Sequence, residues 1–241
     1  CVAFSVSGSP LKRLVAACPR DVLLLGSICG LLTLQNSSYT LLRRDSTGVL
    51  HGDCKAPNVL MTTDGQPVLS DMGVSAMGDC IEADDGGHKV EAELRGATYA
   101  FTSAKVVRLL PHLRDCGSRE EREQLQKATP LTHSDDIFAF AATVFEMFVG
   151  GGKWRPGKQG AADLWSTHGR ALLSSTELKV PLPQGMDEVL AACFDSEKTP
   201  ELTMAQVAAR IGKVYEELTG SRTALDAAAE AARASANESM R

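Results

Sequence analysis

The longest apolar stretch of the chain, residues 136–149 (D-I-F-A-F-A-A-T-V-F-E-M-F-V), carries apolar side chains on nearly every side of a helical wheel. Such a helix has no face to offer water, so the pattern predicts a helix buried through the middle of a domain. Two short apolar runs, Asn58-Val59-Leu60-Met61 and Gln66-Pro67-Val68-Leu69-Ser70, flank Thr62-Thr63-Asp64-Gly65, and an Asp-Gly turn between such runs predicts a β-hairpin. Residues 1–6 are rich in β-branched and aromatic types and run into Ser7-Gly8-Ser9-Pro10, which reads as a strand entering a turn. A short helix is expected over 11–17, opened by Ser9 as cap with Pro10 at its first position, and a second, buried one over 21–34. Residues 79–93 are polar, acidic and glycine-containing and read as a mobile loop. Residues 114–128 (R-D-C-G-S-R-E-E-R-E-Q-L-Q-K-A) read as a single charged helix lying on the surface in water. Shorter helices are expected near 161–173, 186–194 and 203–218, followed by an alanine-rich tail from Ser221 that frays or is disordered.

Composition narrows what such a chain can do. It has 241 residues, 44% hydrophobic and 23% charged, enough for one sizeable domain with its own core. A net charge of -5 excludes a protein built mainly to cover nucleic-acid phosphates. The apolar run at 22–34 is interrupted by Gly26, Ser27 and Gly30 and is too short to span a bilayer, so no membrane segment is expected. The seven cysteines are odd in number, widely spaced and never in a C-x-x-C, unlike a disulfide scaffold or zinc site. Reduced thiols in an intracellular, cytoplasmic setting are expected. The first residue is Cys, and the chain is expected to be cut from something longer.

The chemistry is concentrated in His51-Gly52-Asp53-Cys54-Lys55-Ala56-Pro57-Asn58 and, after the hairpin, in Ser70-Asp71-Met72-Gly73. The hairpin should fold the two loops side by side. Phosphoryl transfer from ATP needs a carboxylate to orient and deprotonate the attacking hydroxyl, and oxygen ligands for magnesium on the phosphates. Asp53 suits the first task and Asp71 the second, with Asn58 offering a neutral amide oxygen as a further magnesium ligand. Lys55 can place a positive charge on the transferring group, where negative charge must be stabilised.

These residues resemble the H-R-D-x-x-x-x-N catalytic loop and the D-F-G motif of protein kinases, and Lys55 resembles the serine/threonine class. The similarity continues in Ala97-Thr98-Tyr99-Ala100-Phe101-Thr102-Ser103-Ala104-Lys105, which resembles the segment that ends the family's activation loop and binds the substrate peptide. It continues again in Ser134-Asp135-Asp136-Ile137-Phe138 at the start of the central helix, and in Asp195-Ser196-Glu197-Lys198-Thr199-Pro200 before the last one. The resemblance implies a mainly α fold with small β-hairpins, the large C-terminal lobe of a protein kinase. It assigns residues 1–8 to the last small-lobe strand and hinge, and 9–219 to the lobe itself. Within the lobe lie a catalytic loop at 49–58, an activation segment at 71–105 and a charged insert at 108–132, and residues 220–241 are a tail. It further implies ATP and Mg2+ as cofactors and a protein Ser/Thr substrate. Asp53, Lys55 and Thr98 are then catalytic, and Asn58, Asp71 and Lys55 bind the nucleotide, with Asn58 and Asp71 on magnesium. His51, Gly73 and Asp136 are structural, Asp136 bracing the catalytic loop from below.

Several positions depart from the family pattern. Gly52 replaces an arginine, so a phosphate on the activation loop would lack its usual bidentate partner. Met72 replaces a phenylalanine and should still pack. Lys105 and Thr199 replace a glutamate and an arginine that pair with each other, and losing both is expected to be nearly neutral. The glycine-rich loop, strand lysine and helix glutamate of a small lobe are expected upstream of Cys1, and residues 1–241 alone should turn over ATP weakly or not at all. Two alternatives stand beside an active protein kinase: a pseudokinase acting as scaffold or regulator, and a small-molecule kinase of the aminoglycoside or choline type.

Overall fold

A computed structural model describes residues 47–61, 67–82, 88–149, 160–174, 178, 181–198 and 202–219. The readings made above for residues 1–46, 62–66 and 220–241, and for Thr199, lie outside these. The described part is mainly helical with few strands.

The predicted hairpin forms. Strands β1 (Thr47–Leu50), β2 (Val59–Met61) and β3 (Pro67–Leu69) come first in the chain, and β2 pairs antiparallel with β3 in the register Val59↔Leu69, Leu60↔Val68, Met61↔Pro67. Proline at the start of β3 fits a two-stranded ribbon, where its missing N–H breaks no ladder between two neighbours.

Within the loop expected over 79–93, the described residues 79–82 and 88–91 are strand instead. Strands β4 (Ala76–Glu82) and β5 (His88–Glu91) pair antiparallel, and β4 also pairs with β1, giving a three-stranded sheet in the order β1-β4-β5. Polar residues are tolerated because strand pairing satisfies the backbone whatever the side chains are. A β-carbon on Gly78 would collide with the backbone carbonyl of Glu91, which explains a glycine at mid-strand.

The charged region also divides differently from expectation. In place of one helix over 114–128 there are two, α1 (Ala104–Asp115) and α2 (Arg119–Ala128). Each has its own serine cap: Ser103 Oγ accepts from the Val106 N–H, and Ser118 Oγ from the Glu121 N–H. Between them, Cys116-Gly117 interrupts the helical path. Helix α1 buries Val106, Leu109 and Leu113, spaced by three and four residues, against Leu50 and Ala76 of the sheet and against Ala92, Leu94 and Leu131.

Helix α3 (His133–Val149) is the core's axis, as its all-round apolar sequence predicts: every described side chain from Asp135 to Phe145 is buried. It packs on α5 (Met186–Phe194), which packs in turn on α6 (Met204–Thr219), while α4 (Ala161–His168) closes one side. Phe194 joins these elements, edge-on to Phe138 with ring centroids 5.3 Å apart and stacked on Trp165 at 4.8 Å. Among the described residues no helix is long and apolar enough to cross a membrane.

Cys116 and Cys193 are free thiols, and burial pushes the Cys193 thiol up to about 12. Only a thiolate attacks an alkylating agent. Brief treatment of the native protein with iodoacetamide at pH 8 should therefore modify the half-buried Cys116 and spare Cys54 and Cys193, as read by peptide mass mapping.

Candidate functional site

The loop between β1 and β2 is held from beneath by α3. Both carboxylate oxygens of Asp136 accept backbone N–H groups from it, His51 at 2.7 Å and Gly52 at 2.9 Å. Seven residues further along α3, Thr143 donates its hydroxyl to the Cys54 carbonyl at 3.1 Å. Thr143 is fully buried, and sequence reasoning passed over it. Its signal was a hydroxyl inside an otherwise apolar helix, which needs a partner when buried.

Gly52 has a backbone φ of 77°, the left-handed region that costs any side-chain-bearing residue about 1–2 kcal/mol. A β-carbon there would also press on the Val74 carbonyl at 3.3 Å. The absence of arginine at this position is thus tied to the backbone path as well as to charge.

The hairpin returns the chain to this loop. Ser70 donates its N–H and its hydroxyl to the Asn58 carbonyl, both at 2.8 Å. The His51 ring bridges the two segments: Nε2 lies 3.1 Å from the Ser70 carbonyl, and Nδ1 lies 3.3 Å from the Asp53 N–H. One tautomer, with the proton on Nε2, satisfies both contacts. Asp71 follows directly, exposed, with φ 63° and ψ 64°; it is the non-glycine residue with positive φ among those described. A short polar side chain tolerates that conformation better than most, and such outliers concentrate at functional sites. At Gly73 a β-carbon would sit 3.1 Å from Asp71 Oδ1, so glycine leaves the carboxylate room.

Four of the predicted side chains meet. Lys55 Nζ donates to Asp53 Oδ2 at 2.6 Å and to Thr98 Oγ1 at 2.9 Å, linking the loop to the segment before α1. Asn58 Nδ2 donates to the Asp53 carbonyl at 2.9 Å, with Asp53 Oδ2 3.5 Å away. The other Asp53 oxygen, Oδ1, is buried and has no hydrogen-bond partner among the described residues. Beside it lies a cavity of about 20 Å³, lined by Asp53, Thr98, Thr102, Asp135 and Asp136 among others. That space suits about one water molecule and is far below what a nucleotide fills. Among the described residues, no three His, Cys, Asp or Glu side chains are grouped to hold a metal ion by themselves.

Lys105, standing where the family pattern has a glutamate, has partners of its own: its Nζ lies 2.7 Å from Asp135 Oδ2 and 2.9 Å from the Pro130 carbonyl. Asp135 also accepts the Ser103 hydroxyl at 2.7 Å and the Thr132 N–H at 2.7 Å. The cation at 105 is therefore the centre of a different network, anchored on α3, which sequence reading missed because Asp135 sits beside the more recognisable Asp136. Lys105→Glu would set two carboxylates against each other and remove the only positive charge seen on Asp135 among the described residues. A loss of about 3 kcal/mol is expected, measured as a lower urea midpoint; a midpoint at or above that of the parent would show that the network contributes nothing.

No protein-family model matches the chain, and no curated protein is significantly similar to it.

Proposed function

We propose that this chain is the large lobe of a protein kinase and transfers the γ-phosphoryl group of ATP to a Ser or Thr hydroxyl of a protein. The observation that carries the reading is the division of labour at the Asp53 carboxylate: Lys55 holds one oxygen, and the other has no partner among the described residues. A carboxylate fixed in this way can take a proton on its free oxygen without losing its orientation. In the reaction, the substrate hydroxyl oxygen bonds to the γ-phosphorus as its proton passes to the Asp53 carboxylate. The bond from that phosphorus to the bridging oxygen breaks, and ADP leaves with the electron pair. Lys55, already between Asp53 and Thr98, places its charge where the phosphoryl oxygens become more negative.

Asp71 and Asn58 are the residues that would hold magnesium. Asn58 spends its amide N–H on Asp53, which leaves its oxygen as a neutral donor, and the exposed Asp71 directly follows Ser70, whose N–H bonds the Asn58 carbonyl. A donor set of one carboxylate and one amide fits an ion that takes its remaining ligands from phosphates and water. Bound there, magnesium neutralises phosphate charge.

The test uses protein expressed from the complete open reading frame, with Mg·ATP and a mixed Ser/Thr peptide library, beside an Asp53→Asn variant. Phosphoserine or phosphothreonine that depends on Asp53 supports the reading. Nucleotide binding without transfer would replace it with a scaffold, and phosphate found only on small amino alcohols or aminoglycosides with a small-molecule kinase.

A further inference from the structure

We propose that α1 and α2, with the turn that follows them, form a built-in strap that holds residues 92–98 in their working position without a phosphate, and that Gln126 is its positioning residue. The proposal rests on the reading of Asp53, Lys55 and Thr98 given above and concerns how that site is kept assembled.

Three separate contacts define the strap. Ala92 and Leu131 exchange backbone hydrogen bonds, N–H to carbonyl at 3.0 Å one way and 2.8 Å the other, forming an isolated antiparallel bridge. Gln126 Nε2 donates to the Leu94 carbonyl at 2.7 Å. Ala92, Leu94, Leu109, Leu113 and Leu131 bury one another in a cluster on which Leu125 packs. Gln126 is 6% exposed on a helix whose Glu121, Arg122, Gln124 and Lys127 all face water. A buried amide in so polar a helix demands a partner, and the carbonyl it finds lies four residues before Thr98. Thr98 in turn accepts from Lys55. The strap has a rigid base, because Ser118 caps α2 and Glu121 Oε2 accepts the Gly117 N–H at 2.9 Å.

The need for such a device follows from Gly52. Without a guanidinium in the loop, a phosphate on this segment has no bidentate anchor there, whereas the strap supplies backbone, side-chain and apolar contacts that need no modification.

Three versions of the full chain decide the matter: the parent, Gln126→Glu and Gln126→Lys. Glutamate keeps the size and helix propensity but cannot donate; lysine can. Trypsin cleavage after the exposed Arg95 should be about 10-fold faster in Gln126→Glu, the equivalent of one lost buried hydrogen bond, and near the parent rate in Gln126→Lys. Equal rates in all three would overturn the role of Gln126. Should Gln126→Glu unfold altogether, amide exchange of the parent decides alone. Ala92 and Leu131 N–H groups should exchange at least about 10-fold more slowly than that of Glu93, and equal rates would remove the strap. Phosphatase treatment of the parent should change neither readout; faster cleavage after dephosphorylation would overturn the phosphate-free hold. None of these measurements uses ATP, so a protein that transfers no phosphate can still carry the strap, and an active one can be shown to lack it.

Discussion

Asp53→Asn is expected to lower phosphoryl transfer by about 10²- to 10⁴-fold, the range associated with losing a positioned general base, while the protein stays folded. The amide matches the carboxylate in volume, and its oxygen can still accept from Lys55. What it cannot do is bind the proton of the attacking hydroxyl. The ion pair it removes is mostly buried, with side chains 21% and 10% exposed for Lys55 and Asp53, and the retained bond from Lys55 should hold the cost in stability to about 2 kcal/mol. The two effects are separable in one experiment. Steady-state kinetics should show the fall in kcat with KM for ATP little changed, since the nucleotide contacts proposed at Asn58 and Asp71 are untouched. A variant with the parent kcat would remove Asp53 from the chemistry, and a variant that is unfolded by circular dichroism would place it in the architecture instead.

How far the fold was legible depended on whether one segment could dictate its own structure. Residues 136–149 could, because a stretch of that length that is apolar on nearly every side has one stable place in a folded domain, its interior. The hairpin of β2 and β3 could as well, since its turn signal lies between its own strands. Strands β4 and β5 could not. Residues 79–93 look polar and acidic, yet 79–82 pair with 88–91, and the β4 residues 76–79 join them to β1, some 30 positions earlier, a partner no local pattern announces. Helix α1 was obscured differently: residues 97–105 resemble a substrate-binding segment, which drew attention from the Val106, Leu109 and Leu113 stripe just beyond, and Pro111 within it reads as a breaker. At the site, residue types gave Asp53, Lys55 and Asn58 and the family resemblance gave Thr98, and the structure links the four through Lys55 to Asp53 and Thr98 and through Asn58 to Asp53. Thr143, Gln126 and the pairing of Lys105 with Asp135 were hidden because each depends on which backbone carbonyl or carboxylate arrives opposite, a matter of tertiary geometry.

One helix end organises most of this. In the first turns of α3, Ser134 offers its carbonyl to the Ser196 hydroxyl at 2.8 Å, Asp135 binds Lys105 and Ser103, and Asp136 binds the loop that carries Asp53. Acidic residues suit that position, since the helix N-terminus carries partial positive charge. Three regions that lie far apart in sequence, the turn after α5, the cap of α1 and the loop after β1, are thereby registered on a single rigid element. Errors in that element should reach the site even though none of these three residues touches the reacting atoms.

Asp136→Ala is therefore expected to be the most damaging single substitution for the fold, at about 4 kcal/mol. The carboxylate is 2% exposed and satisfies the backbone N–H groups of buried His51 and half-buried Gly52 with charge-assisted bonds. Alanine leaves both N–H groups without this acceptor. The left-handed turn at Gly52 sits between them, so its release frees the backbone immediately before Asp53. Asp136→Asn separates charge from shape: its oxygen can serve one N–H, but its NH2 group meets the other donor head-on, so it should recover at most about half of the loss. Urea denaturation of the three proteins gives the comparison directly, read at constant m so that the midpoints report stability. Amide exchange at His51 and Gly52 gives the local one, and both groups should lose protection in each variant before the rest of the chain does. If Asp136→Ala unfolds within 1 kcal/mol of the parent, the bonds to His51 and Gly52 are not what holds the loop on α3. The buried hydroxyl of Thr143, on the next turns of the same helix, would then be left as its anchor.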